Sequence, residues 1–297
     1  MARIMITGAS GYLGARLAIA LSKQSDGVAL LLRASSIAPD PGAFAHPPVV
    51  LRFQDQAMAG DLLRTHKPDV LVHTACCYGR AGETLSEMIA ANYLFGWALL
   101  EASLEAGVGL FMNTDTVLPA GLNAYAFTKA QFVELARFVQ DTRATSIRFA
   151  NLKLQTMYGP GDHPTKFTTA LARHVVANRA PLDITPGTQR RDFVHVDDVV
   201  SAIATVIEKR HSLARWEDIP VGTGKACRLR DFVDMAVEVS GFEQAVRPVL
   251  AHREGEPPEL KANTARLQEL GWLPKVDLRS GIAALIEDAR NTAMPRQ

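Results

Sequence analysis

Short apolar runs alternate with amphipathic stretches through the first half of the chain. RIMIT (3–7), VALLLR (28–33), DVLVHTA (69–75) and LFMNT (110–114) are rich in Val, Ile and Leu and do not alternate with polar residues. LGARLAIALSKQ (13–24) and NYLFGWALLEASLEAG (92–107) carry the helical spacing between them. Continuous β-type runs separated by amphipathic helices predict a parallel sheet covered on both faces, the doubly wound α/β class.

From about Asn151 the pattern changes. MYGPGDHPTKF (157–167) and RAPLDITPGTQRRDF (179–193) are rich in turn formers, and HREGEPPELKANTARL (252–267) is polar and proline-bearing. The expected organisation is a Rossmann-like domain over 1–152 and a smaller loop- and helix-rich cap over 153–297. VHVDDVVSAIATVIEK (194–209) reads as a strand end followed by a helix. On that reading 192–212 packs back on the first domain and the boundary is interleaved. No repeat, low-complexity tract or Gly/Ser linker interrupts this pattern.

Composition narrows the function without naming it. The 297 residues are enough for a sizeable core. A net charge of +1 gives no electrostatic case for nucleic acid or an anionic membrane surface. No apolar run approaches membrane-spanning length. MARIMITGAS enters a strand with no secretory h-region before it, and Cys76, Cys77 and Cys227 form no CxxC pair. A reduced, cytoplasmic setting is the expectation.

The first candidate chemistry is TGASGYLG, Thr7–Gly14, directly after the first strand and opening the first helix. Gly8, Gly11 and Gly14 permit a tight turn, close backbone approach and tight helix packing. The helix amino terminus offers free N–H groups and a positive dipole end to a pyrophosphate. The expected ligand is a nicotinamide dinucleotide. Its type is read at the second strand's end, where an NAD site usually places Asp or Glu. This chain has Arg33 there, followed by Ser35 and Ser36. A guanidinium matches a 2′-phosphate in charge and fork geometry, so the expectation is NADP (NADPH) rather than NAD.

The second is NTDTVLPAGLNAYAFTKAQF, Asn113–Phe132, in which Tyr125 and Lys129 share one helix face. A phenol titrates near 10, too high for easy proton exchange at neutral pH. A neighbouring ammonium and an oxidised nicotinamide would favour phenolate and let Tyr125 exchange a proton with a substrate oxygen. A threonine hydroxyl from the preceding strand end is placed to hydrogen-bond the same oxygen. HVDD (195–198) reads as a strand end loading a helix with favourable charge, so no metal site is expected. GASG is not the G-x-S-x-G of a serine hydrolase.

TGASGYLG, NTDTVLP and YAFTK together resemble the extended short-chain dehydrogenase/reductase family, the NAD-dependent epimerase/dehydratase group. NYLFG, MYGPGD, PGTQRRDFVHVDDVV and LGWLP resemble its nucleotide-sugar branch, and the likeness runs in order over almost the whole chain. The resemblance implies that Thr114 stands in the catalytic Ser/Thr position, with Tyr125 as acid/base and Lys129 as its partner on the nicotinamide ribose. It implies cofactor contacts from Gly8, Ser10, Gly11, Tyr12, Leu13, Gly14, Arg33, Ser35, Ser36, Thr74 and Ala75. It places Arg191 and Arg253 where the family keeps phosphate-binding arginines, with Lys166 and Arg190 as weaker candidates. It also implies a homodimer through helices starting near Glu83 and Tyr125.

Two departures sharpen the expectation. Val117-Leu118-Pro119 replaces the usual Val-Tyr-Gly. Thr114-Asp115-Thr116 replaces the Thr-Asp-Glu of sugar-nucleotide dehydratases, so the elimination base is missing. Asp115 is a candidate for a substrate contact or a turn cap. Tyr78 and Arg80 are candidates for the sugar pocket, with an ordinary loop as the alternative, and Asn92 for a cap or a helper of the site. The leading expectation is NADPH-dependent reduction of the 4-keto group of a nucleotide-diphosphate 4-keto-6-deoxy sugar. The alternatives are an epimerase that retains its cofactor and, from another class, a non-catalytic NADP-binding sensor.

Overall fold

A computed structural model describes residues 2–25, 27–177, 181–241, 246–251 and 255–293. In chain order the elements are β1 (Ile4–Thr7), α1 (Tyr12–Ser22), β2 (Val28–Arg33), β3 (Val49–Phe53), α2 (Gln56–His66), β4 (Val70–His73), α3 (Leu85–Ile89) and α4 (Phe95–Ala106). They continue with β5 (Leu110–Thr116), α5 (Ala124–Thr142), β6 (Arg148–Leu154), β7 (Thr156–Tyr158), α6 (Phe167–Val176), β8 (Leu182–Ile184), β9 (Arg190–His195) and α7 (Val196–Glu208). The last are β10 (Trp216–Val221), β11 (Ala226–Arg228), α8 (Leu229–Ser240), β12 (Val246–Pro248), β13 (Glu259–Leu260), α9 (Ala265–Glu269) and α10 (Leu278–Ala293).

The chain divides into two compact units, Met1–Lys153 with Ile203–Ile219, and Leu154–Ala202 with Pro220–Gln297. In the first, seven strands among the described residues form one sheet in the order β10-β6-β5-β4-β1-β2-β3. The pairs from β3 through β2, β1 and β4 to β5 are parallel, with Ile4 level with both Val28 and Val70. This is the expected Rossmann-like fold. Leu71, Phe111 and Phe149 from three neighbouring strands join Leu99, Phe132 and Ala136 of the covering helices in one buried cluster. Each of the leucines and phenylalanines removed from water contributes roughly 1.5–3 kcal/mol.

The pattern of the first half set β2 to the residue and β1, β4 and β5 to within two. It did not yield β3, whose residues are mostly exposed at the sheet edge. It also started the fourth helical segment too late. Helix begins at Leu85, under a capping box between Thr84 and Glu87, and passes through a π-helical turn at Ala90–Leu94 before α4.

In the second unit β9 pairs with β7 and β13 in parallel and with β11 antiparallel. Tyr158, Leu171, Phe193, Phe232 and Ile282 lead its core, drawn from β7, α6, β9, α8 and α10. Gly281 is a fixed point of that core, because a Cβ there would stand 2.1 Å from the Tyr158 Oη. Asp192, fully buried, ties two loops to β9. It accepts from the Thr223 N–H (2.8 Å), the Gly224 N–H (2.9 Å), the Ala262 N–H (3.2 Å) and the Thr223 hydroxyl (2.6 Å).

Candidate active site

The glycine turn is built against the end of β4. Gly8 has φ +69, and a Cβ there would lie 2.5 Å from the Ala75 nitrogen. A Cβ on Gly14 would lie 2.4 Å from the Gly8 oxygen. Only glycine fits either position. The Gly11 N–H closes the turn on the Gly8 carbonyl at 2.9 Å, and the Thr74 hydroxyl donates to the Thr7 carbonyl at 2.7 Å. Thr74 and Ala75 therefore stand beside Gly8, Gly11 and Gly14. Helix α1 starts at Tyr12 with Gly11 as its N-cap, without a side-chain cap and with no acid in its first turn. Its first N–H groups and dipole are left for an anion, which fits the pyrophosphate of a dinucleotide. Leu13 is buried, Ser10 is exposed, and the Arg16 guanidinium lies 4.3 Å from the Tyr12 ring centroid.

At the end of β2 the chain folds into a turn, with the Ser36 N–H donating to the Arg33 carbonyl at 2.9 Å. Arg33 and Ser35 are exposed and Ser36 is half-buried. Across the turn lies Arg52 of β3, a residue the sequence reading did not single out.

Tyr125 sits in the first turn of α5, whose N-cap Asn123 accepts from the Ala126 N–H at 2.9 Å. Its ring lies 4.9 Å from that of Tyr78 at 31°, and the Arg80 guanidinium is 5.2 Å from the Tyr78 ring centroid. Among its neighbours, the Thr116 side chain favours the ionised form of the phenol. The Thr116 Oγ1 accepts from the Leu118 N–H at 3.2 Å, which leaves its own proton to donate. The Thr114 hydroxyl, at the position the family resemblance marks, donates instead to the His73 carbonyl at 3.0 Å. Side chains alternate along β5, so Thr116, two residues beyond Thr114, lies on the same face of the strand.

Burial governs the electrostatics at Tyr125. Burial, then the Cys76 thiol and the Asp115 carboxylate, push its ionisation well above the usual phenol range. The Arg80 guanidinium and the Thr116 hydrogen bond pull the other way without overcoming them. Lys129 is not among those causes. Its side chain is buried, one turn along α5, and among the described residues it has no hydrogen bond or ion pair. Its charge is felt at His73, which burial first and Lys129 second hold down to about 3. A buried ammonium without a partner is costly unless a ligand completes it.

Asn92 lies in the π turn, not at a helix start. Its Oδ1 accepts from the Cys77 N–H (2.7 Å), and its Nδ2 donates to the Cys77 carbonyl (2.8 Å) and the Thr128 Oγ1 (3.0 Å). It joins the loop that leads from β4 to Tyr78 and Arg80 to the helix that carries Tyr125. Asp115 is engaged by the Asn151 Nδ2 at 3.0 Å, which also reaches Asp218 at 2.9 Å.

The remaining candidates belong to the second unit. Lys166 pairs with Asp162 at 2.9 Å, Arg190 with Glu259 at 3.2 Å, and buried Arg191 with Glu256 at 2.7 Å. Arg253 lies outside the described residues. Among the described residues no His, Cys, Asp and Glu group is arranged to hold a metal, and no helix is long and apolar enough to cross a membrane.

Residues 4–222 match the model of the family described as "NAD dependent epimerase/dehydratase family". The chain belongs to that family. Its fold is that of the extended short-chain dehydrogenases/reductases. It is 28% identical to the CDP-abequose synthase of Salmonella typhimurium, over 96% of this chain and 97% of that protein. It is 27% identical to the dTDP-6-deoxy-L-talose 4-dehydrogenase (NAD(P)(+)) of Kitasatospora kifunensis, over 96% and 94%. Among solved structures, MoeE5 in complex with UDP-glucose and NAD superposes with a TM-score of 0.83 at 25% identity, covering 98% of this chain and 99% of that one. The UDP-glucose 4-epimerase of Thermotoga maritima shares the fold at a TM-score of 0.82 and 21% identity, over 98% and 99%.

Proposed function

We propose that this protein is an NADPH-dependent reductase of the 4-keto group of a nucleotide-diphosphate 4-keto-6-deoxy sugar. The observation that carries the reading is the phenol of Tyr125, kept protonated by its surroundings, one turn from the buried Lys129 side chain, which has no ion-pair partner among the described residues. A group that keeps its proton across the neutral range is a donor, which suits reduction better than alcohol oxidation. The Gly8–Gly14 turn and the uncapped start of α1 suit the pyrophosphate, and Arg33 with Ser35 and Ser36 suits a 2′-phosphate. Lys129 suits the nicotinamide ribose. The bound cofactor supplies the hydride.

Tyr125 delivers a proton to the carbonyl oxygen as negative charge develops there. The Thr116 O–H, which favours ionisation of this phenol, stabilises the phenolate left behind. Thr114, buried beside them on β5, remains a candidate for the substrate oxygen, and Tyr78 with Arg80 for the sugar. Threonine at 116 in place of a glutamate leaves no carboxylate for water elimination. Asp115, Lys166, Arg191 and Arg253 are the further substrate-binding candidates, the cations serving the diphosphate. Two full-length relatives whose names denote enzymes of CDP- and dTDP-linked sugars support this substrate class.

NADPH oxidation with CDP-, dTDP- and GDP-4-keto-6-deoxyhexoses tests the proposal. Turnover with one of them, abolished in Tyr125→Phe, is expected; undiminished turnover in that variant overturns the assignment. A retained-cofactor epimerase is the second reading, favoured by a matching fold solved with NAD and UDP-glucose. Tightly bound NAD in the purified protein, with no net consumption of NADPH, selects it.

The assembly proposed is a homodimer. Leu85 and Ile89 of α3 and Phe127 and Phe138 of α5 are exposed, the last 63%, on the helices that the family resemblance assigns to the interface. Light scattering of the purified protein should give twice the chain mass. The setting proposed is the cytoplasm, where reduced dinucleotide and sugar nucleotides are both found.

A further inference from the structure

The turn that follows β2 is held from outside by a second arginine. Arg52 lies on β3, level with Leu32. Its Nη1 donates to three main-chain acceptors of that turn: the Arg33 carbonyl at 3.4 Å, the Ala34 carbonyl at 3.1 Å and the Ser36 carbonyl at 2.9 Å. Two backbone bonds complete the frame, Ala34 N–H to the Phe53 carbonyl (2.7 Å) and Ser36 N–H to the Arg33 carbonyl (2.9 Å). Among the described residues neither Arg33 nor Arg52 has a carboxylate partner. The turn therefore carries one arginine of its own and is held by a second, both without a carboxylate partner among the described residues.

We propose that Arg52 is the positioning residue of the 2′-phosphate site: by fixing the carbonyls of Arg33, Ala34 and Ser36 it sets the turn on which the Arg33 guanidinium and the Ser35 and Ser36 hydroxyls are presented to the adenosine 2′-phosphate. The inference rests on the NADP reading above. An exposed arginine at a strand end would ordinarily be left to water. Here one nitrogen serves three carbonyls of the loop where dinucleotide-binding folds distinguish the ribose 2′-substituent. Arg52 acts through Arg33, so its contribution is conditional on Arg33 being present.

The test is calorimetric binding of 2′,5′-ADP and of 5′-AMP to the full chain, with the wild type, Arg52→Met, Arg52→Lys, Arg33→Met and the double variant. The wild type is expected to prefer 2′,5′-ADP. Arg52→Met should weaken 2′,5′-ADP by about tenfold or more, the worth of a charged hydrogen-bonding group, while leaving 5′-AMP within about twofold. Arg52→Lys should recover part of the loss. In Arg33→Met the further change Arg52→Met should add little.

A wild type with no preference for 2′,5′-ADP removes the NADP reading and this inference with it. A wild type that prefers 2′,5′-ADP while Arg52→Met weakens both ligands alike, or neither, leaves the NADP reading standing and overturns the role given to Arg52. Fully additive losses from the two arginines also overturn it, because independent charges need no shared turn. The unchanged binding of 5′-AMP serves as the folding control.

Discussion

His73 makes the stability of the first unit depend on pH, and the size of the effect follows from its surroundings. It ends β4 with 1% of its surface exposed, packed edge-on against Phe95 (5.7 Å, 70°) and Phe132 (6.0 Å, 75°), with Nδ1 2.8 Å from the Thr7 Oγ1. Burial and Lys129 hold it down to about 3, whereas an unfolded histidine titrates near 6.5. The folded value is the depressed one, so the unfolded chain binds the extra proton. Stability from this group is complete above about pH 6.5 and falls as the pH drops toward 3. At about pH 4.5 the unfolded state has gained roughly two decades of proton binding, or roughly 2.7 kcal/mol, at about 1.36 kcal/mol per unit. The folded state is still neutral there, so its own pKa barely enters.

The perturbation is His73→Asn, which keeps a polar atom for Thr7 but cannot titrate. Urea unfolding of both proteins at about pH 7.5 and 4.5 isolates the difference from the other histidines. The variant is expected to be the less stable at neutral pH, because it leaves a smaller side chain among the rings, by roughly 1–3 kcal/mol. Between the two pH values the wild type should lose roughly 2–3 kcal/mol more than the variant. An identical loss in both proteins, or a His73 ring resonance titrating near 6 in the folded protein, refutes the reasoning.

Thr116→Val removes the donor that lowers the ionisation of Tyr125, so ultraviolet difference titration against Tyr125→Phe should show the phenol ionising at still higher pH, with a roughly tenfold or greater fall in kcat. Thr114→Val, whose hydroxyl serves the His73 carbonyl, should leave that titration unmoved; an equal shift in both would remove the distinction between them. Gly281→Ala drives a methyl into the Tyr158 hydroxyl and should lower stability by roughly 1–3 kcal/mol in thermal melts, and relief by a second change, Tyr158→Phe, would identify that contact as the cause. Asp192→Ala strands three backbone N–H groups in the second unit, and a loss under about 1 kcal/mol in denaturant titration would count against its role as a clasp.

Much of this was legible in the chain because its causes are local. A buried strand must be apolar along its length, so VALLLR identified β2 to the residue. Gly8 and Gly14 are glycines because of contacts that admit no Cβ, and the turn they form was readable for the same reason. β3 escaped because Val49 and Val50 are exposed on an edge strand, and with it went Arg52, whose three acceptors belong to the neighbouring turn. Thr116 was passed over because the family pattern points to Thr114, and which hydroxyl reaches a phenol depends on strand register. Burial, the largest influence on the phenol, was not legible beside Lys129. Proximity along a helix is a sequence property, but desolvation is set by everything packed around the ring. The π turn around Asn92 has no residue signature, since the same side chains make an ordinary helix.

Asn92 also has a mechanical consequence. One amide is clamped at both ends, to the main chain of Cys77 and to the hydroxyl of Thr128, and the rings of Tyr78 and Tyr125 sit just beyond those anchor points. That amide is the bridge between the segment leading to Tyr78 and the helix bearing Tyr125, and Asn92→Ala would remove all three of its bonds at once.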